Sequence, residues 1–396
     1  MRPVDEAGRW AGPRFCPRPG CRMFAPHGSG ATVQGMSSSS HPHSHPHPHP
    51  HSHRGSGLSD EARAVHAAAI PIDLHADTTK LMSRGYDFYQ RHDPPWPVRS
   101  FFGHVDLPRM REGNHRAQFF GMWTFPKPER GCTEDVHRQI DALEATIARG
   151  DSAMVLCRSA DDVRTAKERG QVAALLGIEG GQALGRGTSE QVIERLTTFA
   201  RRGVRYLGLL HFSQNALGYP QQGWGRDHEK GLTPIGCEVV DACRRSGVLV
   251  DLAHINHRGF FEVVERRPGP LFVTHTGVLG VQRHWRNIDD DQIHAVAESG
   301  GVVGVIFAPR YLGQDGIEGV VAHLSYLVRV AGEDHVGIGS DWDGAVRPPK
   351  GLESPAKLPH LTEALLRAGF SATTVHKILG ENVLRVLSSA PPMQFV

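Results

Sequence analysis

The sequence predicts a (β/α)8 TIM-type barrel, and three observations point there. Short apolar runs without polar alternation recur from about residue 70 onward, as strands buried on both faces require. Amphipathic segments of helical period separate them, the order that builds a parallel sheet covered by helices. A His, Asp or Glu follows one run after another, at the strand end where barrel enzymes carry their chemistry.

In chain order, the strand candidates are 70–75, 117–124, 153–157, 172–178, 206–211, 249–253, 271–274, 302–307 and 336–340. Helix candidates between them are 132–149, 159–169, 189–202, 233–246, 257–266, 289–299 and 316–331. Roughly eight such units suit a closed barrel. An open doubly wound sheet would carry a glycine-rich phosphate turn after its first strand. Gly301-Val-Val-Gly304 and Gly337-Ile-Gly339 lie inside strand runs, so neither supports a dinucleotide site.

The 396 residues divide into a tail over 1–57 and a barrel over 58–396. The tail is rich in Pro, Gly, Ser and Arg and ends in an alternating His-Pro tract. Proline at alternate positions excludes helix and central strand, so disorder is expected. Loose binding of Zn, Ni or Cu by the imidazoles is the functional reading of that tract. The favoured one is a low-complexity extension, with Met23 and Met36 as later starts. Cys16 and Cys21 do not have zinc-finger spacing. A formal net charge of +2 gives no electrostatic case for nucleic acid or an anionic membrane. No apolar stretch approaches the roughly 20 residues that span a bilayer. Neither a secretory signal core nor a lipid-anchor tail is visible. The expectation is a cytoplasmic protein with reduced cysteines, Cys237 and Cys243 acting as small buried hydrophobes.

The chemistry-bearing residues fall at the strand ends. His75 and Asp77 follow the first run, and alternate strand residues share a face. Glu179 ends Ala173-Ala-Leu-Leu-Gly-Ile178, and His211 ends Tyr206-Leu-Gly-Leu-Leu210. His254, His275 and Asp341 follow three further runs. One strand-end His is usually structural; this recurrence predicts a metal centre. All donors are N or O, as in an open catalytic zinc site. Three histidines and an Asp would serve one zinc, but Glu179 can bridge two, and two metals can share a hydroxide.

These residues sit in motifs that resemble the membrane (renal) dipeptidase family, peptidase M19, in a soluble bacterial-type branch. The resemblance covers about 70–388 and includes Asp73-Leu-His-Ala-Asp-Thr78, Gly177-Ile-Glu-Gly-Gly181, Val250-Asp-Leu-Ala-His254, Thr274-His-Thr276, Arg286-Asn287 and Gly337-Ile-Gly-Ser-Asp-Trp-Asp-Gly344. It implies two Zn2+ per chain, one held by His75, Asp77 and Glu179, the other by Glu179, His254 and His275. It implies that His211 polarises the scissile carbonyl, that Arg286 takes the substrate carboxylate, and that Asp341 is the general base and then acid. The implied activity is attack of a metal-bridging hydroxide on dipeptides with a free C-terminal carboxylate, with a D-residue tolerated at the second position. The expected partner is a small dipeptide, with no nucleic acid or membrane and a homodimer allowed. Ala76, Thr78, Ala253, Asn256 and Trp342 depart from the family pattern beside these groups without removing a ligand.

Lesser expectations accompany these. Arg283 or His284 is an alternative carboxylate clamp, and Asp343 is a loop or supporting residue. Trp224, Tyr219 and Tyr311 are candidate pocket walls. Asp251, inside a strand near His254, is placed to orient a metal ligand, because metal-bound imidazoles usually donate their second N–H to an acceptor. The competing functions are another amidohydrolase activity, on lactones or N-acyl-amino acids, and a non-catalytic metal-binding protein. A neutral substrate would not need Arg286, and storage would need neither Asp341 nor His211.

Overall fold

The computed structural model describes residues 57–125 and 131–390. Apart from Gly57, the expected tail over 1–57 lies outside the described residues, as do Cys16 and Cys21. Among the described residues, nine parallel strands form the sheet: β1 (Ile72–Ala76), β2 (Ala117–Trp123), β3 (Met154–Leu156), β4 (Val172–Glu179), β5 (Val204–Gly208), β6 (Leu249–Asp251), β7 (Leu271–Thr276), β8 (Val302–Val305) and β9 (Val336–Ile338). Pairing runs β1-β2-β4-β5-β6-β7-β8-β9 and returns to β1, a closed eight-strand ring. The ninth strand, β3, pairs only with Val172–Ala174 of β4. From Leu176 onward that same edge of β4 pairs with β5. The (β/α)8 expectation holds, and the extra apolar run is a short strand beside the ring.

The helices form where their caps say they should. Cys132–Arg149 and His257–Arg266 span the expected residues. Ser159, Thr233, Asn256 and Asp289 each accept a first-turn backbone N–H through the side chain, which satisfies an otherwise orphaned donor. The shorter helices Asp60–Ala68, Leu107–Glu112 and Asn382–Ser389 lay outside the sequence reading. They have fewer than three turns, too few to display a period. No helix among the described residues is long and apolar enough to cross a membrane.

Two apolar layers hold the barrel. Phe120, Met122, Leu176 and Val273 belong to the outer one, packed toward the helices, while Leu74, Phe119, Leu175, Tyr206 and Phe272 belong to the inner one. On β4 the inner face continues regularly, Leu175 to Gly177 to Glu179. On β7 it cannot: Phe272 and His275 are three residues apart, which strict alternation puts on opposite faces. A register shift between Val273 and Thr276 resolves this. Another, between Asp73 and Ala76 of β1, lets His75 follow the inward Leu74 into the centre. Such bulges re-aim side chains next to active sites.

Candidate metal centre

His75, Glu179 and His275 are carried by the strands themselves. Asp77 follows β1, and its N–H donates to Trp342 O at 2.9 Å. The other groups lie beyond strand ends. His211 is past β5, Arg286 is in the loop after β7, and His254 and Asp341 follow β6 and β9 in the left-handed region, at φ 67° and 62°. Such backbone is strained for residues other than glycine and clusters at functional sites. Asp341 N–H donates to His75 O at 2.9 Å, fastening the end of β9 to the end of β1.

Glu179 is the hub. Its Oε1 lies 3.1 Å from His254 Nε2, 3.4 Å from His275 Nε2 and 3.6 Å from His211 Nε2. Its Oε2 faces the other way, 3.6 Å from His75 Nε2. His75 Nε2 and Asp77 Oδ1 are 3.3 Å apart, and both are buried without a hydrogen-bond partner. Among the described residues the donors form three overlapping triads, each with its atoms within 4.8 Å: His75, Glu179, His275; Glu179, His211, His254; and His75, Asp77, Asp341. Buried polar atoms aimed at one another without hydrogen bonds are what a cation site requires.

Neighbouring residues make room and set orientation. A Cβ on Gly121 would come within 2.4 Å of His75 Cε1, so β2 must carry glycine there. A Cβ on Gly177 would meet Tyr206 Cζ at 1.9 Å, and Tyr206 O–H lies 2.8 Å from His75 Nδ1. Thr274 Oγ1 donates to Asp251 Oδ2 at 2.9 Å and lies 2.9 Å from His275 Nδ1. With its proton committed to Asp251, the threonine oxygen accepts from Nδ1–H, which leaves the Nε2 lone pair of His275 free to ligate. Asp251 therefore orients a proposed ligand, and that ligand is His275, reached through Thr274. Asp73 accepts from Ser340 N at 2.7 Å and from His75 N at 3.3 Å, tying β1 to the residue before Asp341.

The electrostatics suit a cation. Burial, then the Arg286 charge, pushes His254 well below the usual imidazole range. Burial, then His75 and Arg286, does the same to His275. Neutral imidazoles are the ligating form. Burial and the Glu179 charge raise Asp77 to about 7. Burial also drives Asp341 well above the carboxylate range; His75 opposes this, while Asp77 and Glu179 add to it. Three carboxylates crowd one buried space, and divalent cations would relieve that repulsion.

The structure gathers all the main candidates, His75, Asp77, Glu179, His211, His254, His275, Arg286 and Asp341, in one place. Arg286 is buried, with Nη2 donating to His275 O at 2.5 Å and lying 3.2 Å from His254 Nε2. Arg283 is exposed, and His284 Nδ1 accepts Arg286 N–H at 3.2 Å. Asp343 accepts from Thr78 Oγ1 at 2.7 Å and His104 N at 2.8 Å, a supporting position. Trp224 is largely exposed, while Tyr311 packs near Trp285 with ring centroids 6.0 Å apart. Sequence reasoning missed Tyr206, Gly121 and Gly177. The glycines interrupt strong strand runs, a signal of close approach, whereas nothing local marks Tyr206.

Residues 59–394 match the family model described as membrane dipeptidase (peptidase family M19). Dipeptidase tcpJ of Claviceps purpurea (strain 20.1) is 32% identical over 328 residues, covering 80% of this chain and 76% of the relative. A metallo peptidase from Rhodobacter sphaeroides, liganded with a phosphinate mimic of the dipeptide L-Ala-D-Ala, superposes with TM-score 0.71 at 27% identity, covering 81% of this chain and 99% of that one. Dipeptidase AC, a metallo peptidase of family M19, gives TM-score 0.70 at 28% identity, with 81% and 98% covered.

Proposed function

Because the chain belongs to the membrane dipeptidase family, peptidase family M19, and is a metallo-dipeptidase, we propose that it cleaves dipeptides with a free C-terminal carboxylate at a dinuclear zinc centre. The observation that carries this reading is Glu179, whose two oxygens face two separate donor groups. His75, Asp77 and Glu179 would hold one ion, and Glu179, His254 and His275 the other. When bound, the pair would polarise the scissile carbonyl and acidify the attacking water.

The rest is done by side chains of this chain. Arg286 binds the substrate carboxylate with its planar guanidinium, fixing where the peptide bond lies. His211 donates from Nε2 to the carbonyl oxygen as negative charge develops there. Asp341 takes the proton of the attacking water on a carboxylate oxygen and hands it to the leaving amine. A D-residue at the second position is tolerated in this reading, supported by the L-Ala-D-Ala mimic bound to the Rhodobacter sphaeroides neighbour.

Purified protein reconstituted with zinc should contain two ions per chain by elemental analysis. It should release amino acids from dipeptides and leave C-terminally amidated dipeptides largely intact. Equal turnover of the amides would remove Arg286 from its role, and a single ion at full activity would overturn the dinuclear assignment.

A further inference from the structure

The mouth of the centre is aromatic on the side that holds Arg286. The Phe212 ring lies 4.5 Å from the His211 ring, 4.9 Å from the His254 ring and 6.2 Å from Trp285, centroid to centroid. Phe212 is 36% exposed, although it borders a buried polar centre. It is also held firmly in place. Its carbonyl accepts the Trp224 N–H at 3.0 Å, and a Cβ on Gly223 would meet that carbonyl oxygen at 2.1 Å, so the loop closes tightly on its backbone. Trp285 is the chain neighbour of Arg286 and is half-buried between Phe212 and Tyr311. Neither aromatic is needed to bind a metal or move a proton.

We propose that Phe212 and Trp285 form the wall that receives the side chain of the substrate's C-terminal residue, selecting dipeptides in which that residue is large and apolar. The proposal rests on the reading of Arg286 as the carboxylate clamp. His254 Nε2 is 3.2 Å from Arg286 Nη2, and Phe212 packs on the His254 ring. A carboxylate held by Arg286 therefore brings the side chain of its own residue, not that of the N-terminal residue, against this pair. Two rigid rings offer apolar area at little entropic cost, the usual basis for choosing an apolar ligand group.

The test compares glycyl-phenylalanine with glycyl-alanine, each with the second residue in L- and D-form, and the reversed dipeptides phenylalanyl-glycine and alanyl-glycine. Wild type should favour the large C-terminal residue by at least about 10-fold in kcat/KM, as apolar pockets discriminate. Phe212→Ala and Trp285→Ala should each collapse that ratio while leaving the reversed-pair ratio where it was. A general structural defect would instead lower all six substrates together. Free phenylalanine against free alanine, titrated by tryptophan emission, reads the wall without turnover and should show the same preference, lost in Phe212→Ala. A flat ratio in wild type, or one that survives both substitutions, overturns the proposal. Cleavage of amidated dipeptides with the preference intact would instead fault the carboxylate clamp alone.

Discussion

The centre is built from two regions that are secured differently. On its strand side, His75, Glu179 and His275 project from β1, β4 and β7 and are buried to within 3%. They are fixed by what packs against them: Gly121 beside His75, Tyr206 on its Nδ1, and Thr274 relayed to Asp251 behind His275. On its loop side, His211, Arg286 and Asp341 stand beyond strand ends; Arg286 is held by its Nη2 donating to His275 O, and Asp341 by its N–H bond to His75 O and by left-handed backbone. His254 shares both characters, a proposed ligand at positive φ whose carbonyl accepts Gln221 N–H at 2.7 Å. The difference separates tasks. Holding a cation needs donors that do not move, whereas meeting a substrate suits loops on a rigid scaffold.

The largest effects should separate the two regions. Glu179→Gln keeps the size but removes the shared charge, and should abolish both metal retention and turnover. Asp341→Asn should retain both ions and lose about 10²–10⁴-fold in kcat, the range for a general acid–base group. Elemental analysis beside steady-state kinetics decides between them. Because Asp341 lies within 4.8 Å of His75 and Asp77 donors, loss of metal from Asp341→Asn would make it a ligand and erase the contrast.

A smaller effect probes support within the strand side. Tyr206→Phe removes one hydroxyl from His75 Nδ1 and leaves the ring above Gly177. Metal affinity should fall by about 10–100-fold, as when a ligand loses its outer hydrogen bond. Competition against a chelator measures it. An unchanged affinity would mean that Tyr206 only fills space between Phe119 and Phe272.

What could be read in the sequence follows the same division. Glu179 was legible because it ends an unbroken apolar run on a strand with regular inward alternation. His75 and His275 were legible as residue types at strand ends, yet period two cannot explain how they enter the centre. Their register shifts are agreed between neighbouring strands far apart in sequence, and one run carries no trace of that agreement. Asp251, near His254 in sequence, reads as a support for a metal ligand, but the sequence does not say which one. Its partner through Thr274 is His275, and only the pairing of β6 with β7 brings that residue close. The extra strand β3 likewise looked like any other apolar run, because its exclusion from the ring is decided by which edge of β4 is already taken.

The loop side should also yield first to acid, through a residue outside the centre. His323, on the helix Ile317–Ala331, is fully buried; its Nδ1 accepts Val278 N–H at 2.9 Å, and its Nε2 faces Leu312 O at 3.3 Å. Val278 opens the loop that carries Arg286, and Leu279 N–H donates to Ile288 O at 2.8 Å to close it. Burial lowers His323 to about 4, against a raising contribution from the Leu312 hydrogen bond. Above about pH 6.5 both folded and unfolded chains carry a neutral ring, and its contribution is complete. As pH falls toward 4 the unfolded chain binds the proton first, so stability drops, reaching a loss of about 3 kcal/mol once both forms are protonated. Protonation at Nδ1 would also break the bond to Val278. Urea midpoints from pH 7 to 4 should therefore fall less steeply for His323→Gln than for wild type, and that difference isolates this ring from the other buried histidines. Hydrogen exchange at pH 5 should show protection lost around 277–288 before β1, β4 and β7. Equal slopes for the two proteins would assign the acid sensitivity to the centre itself and remove the distinction for this loop.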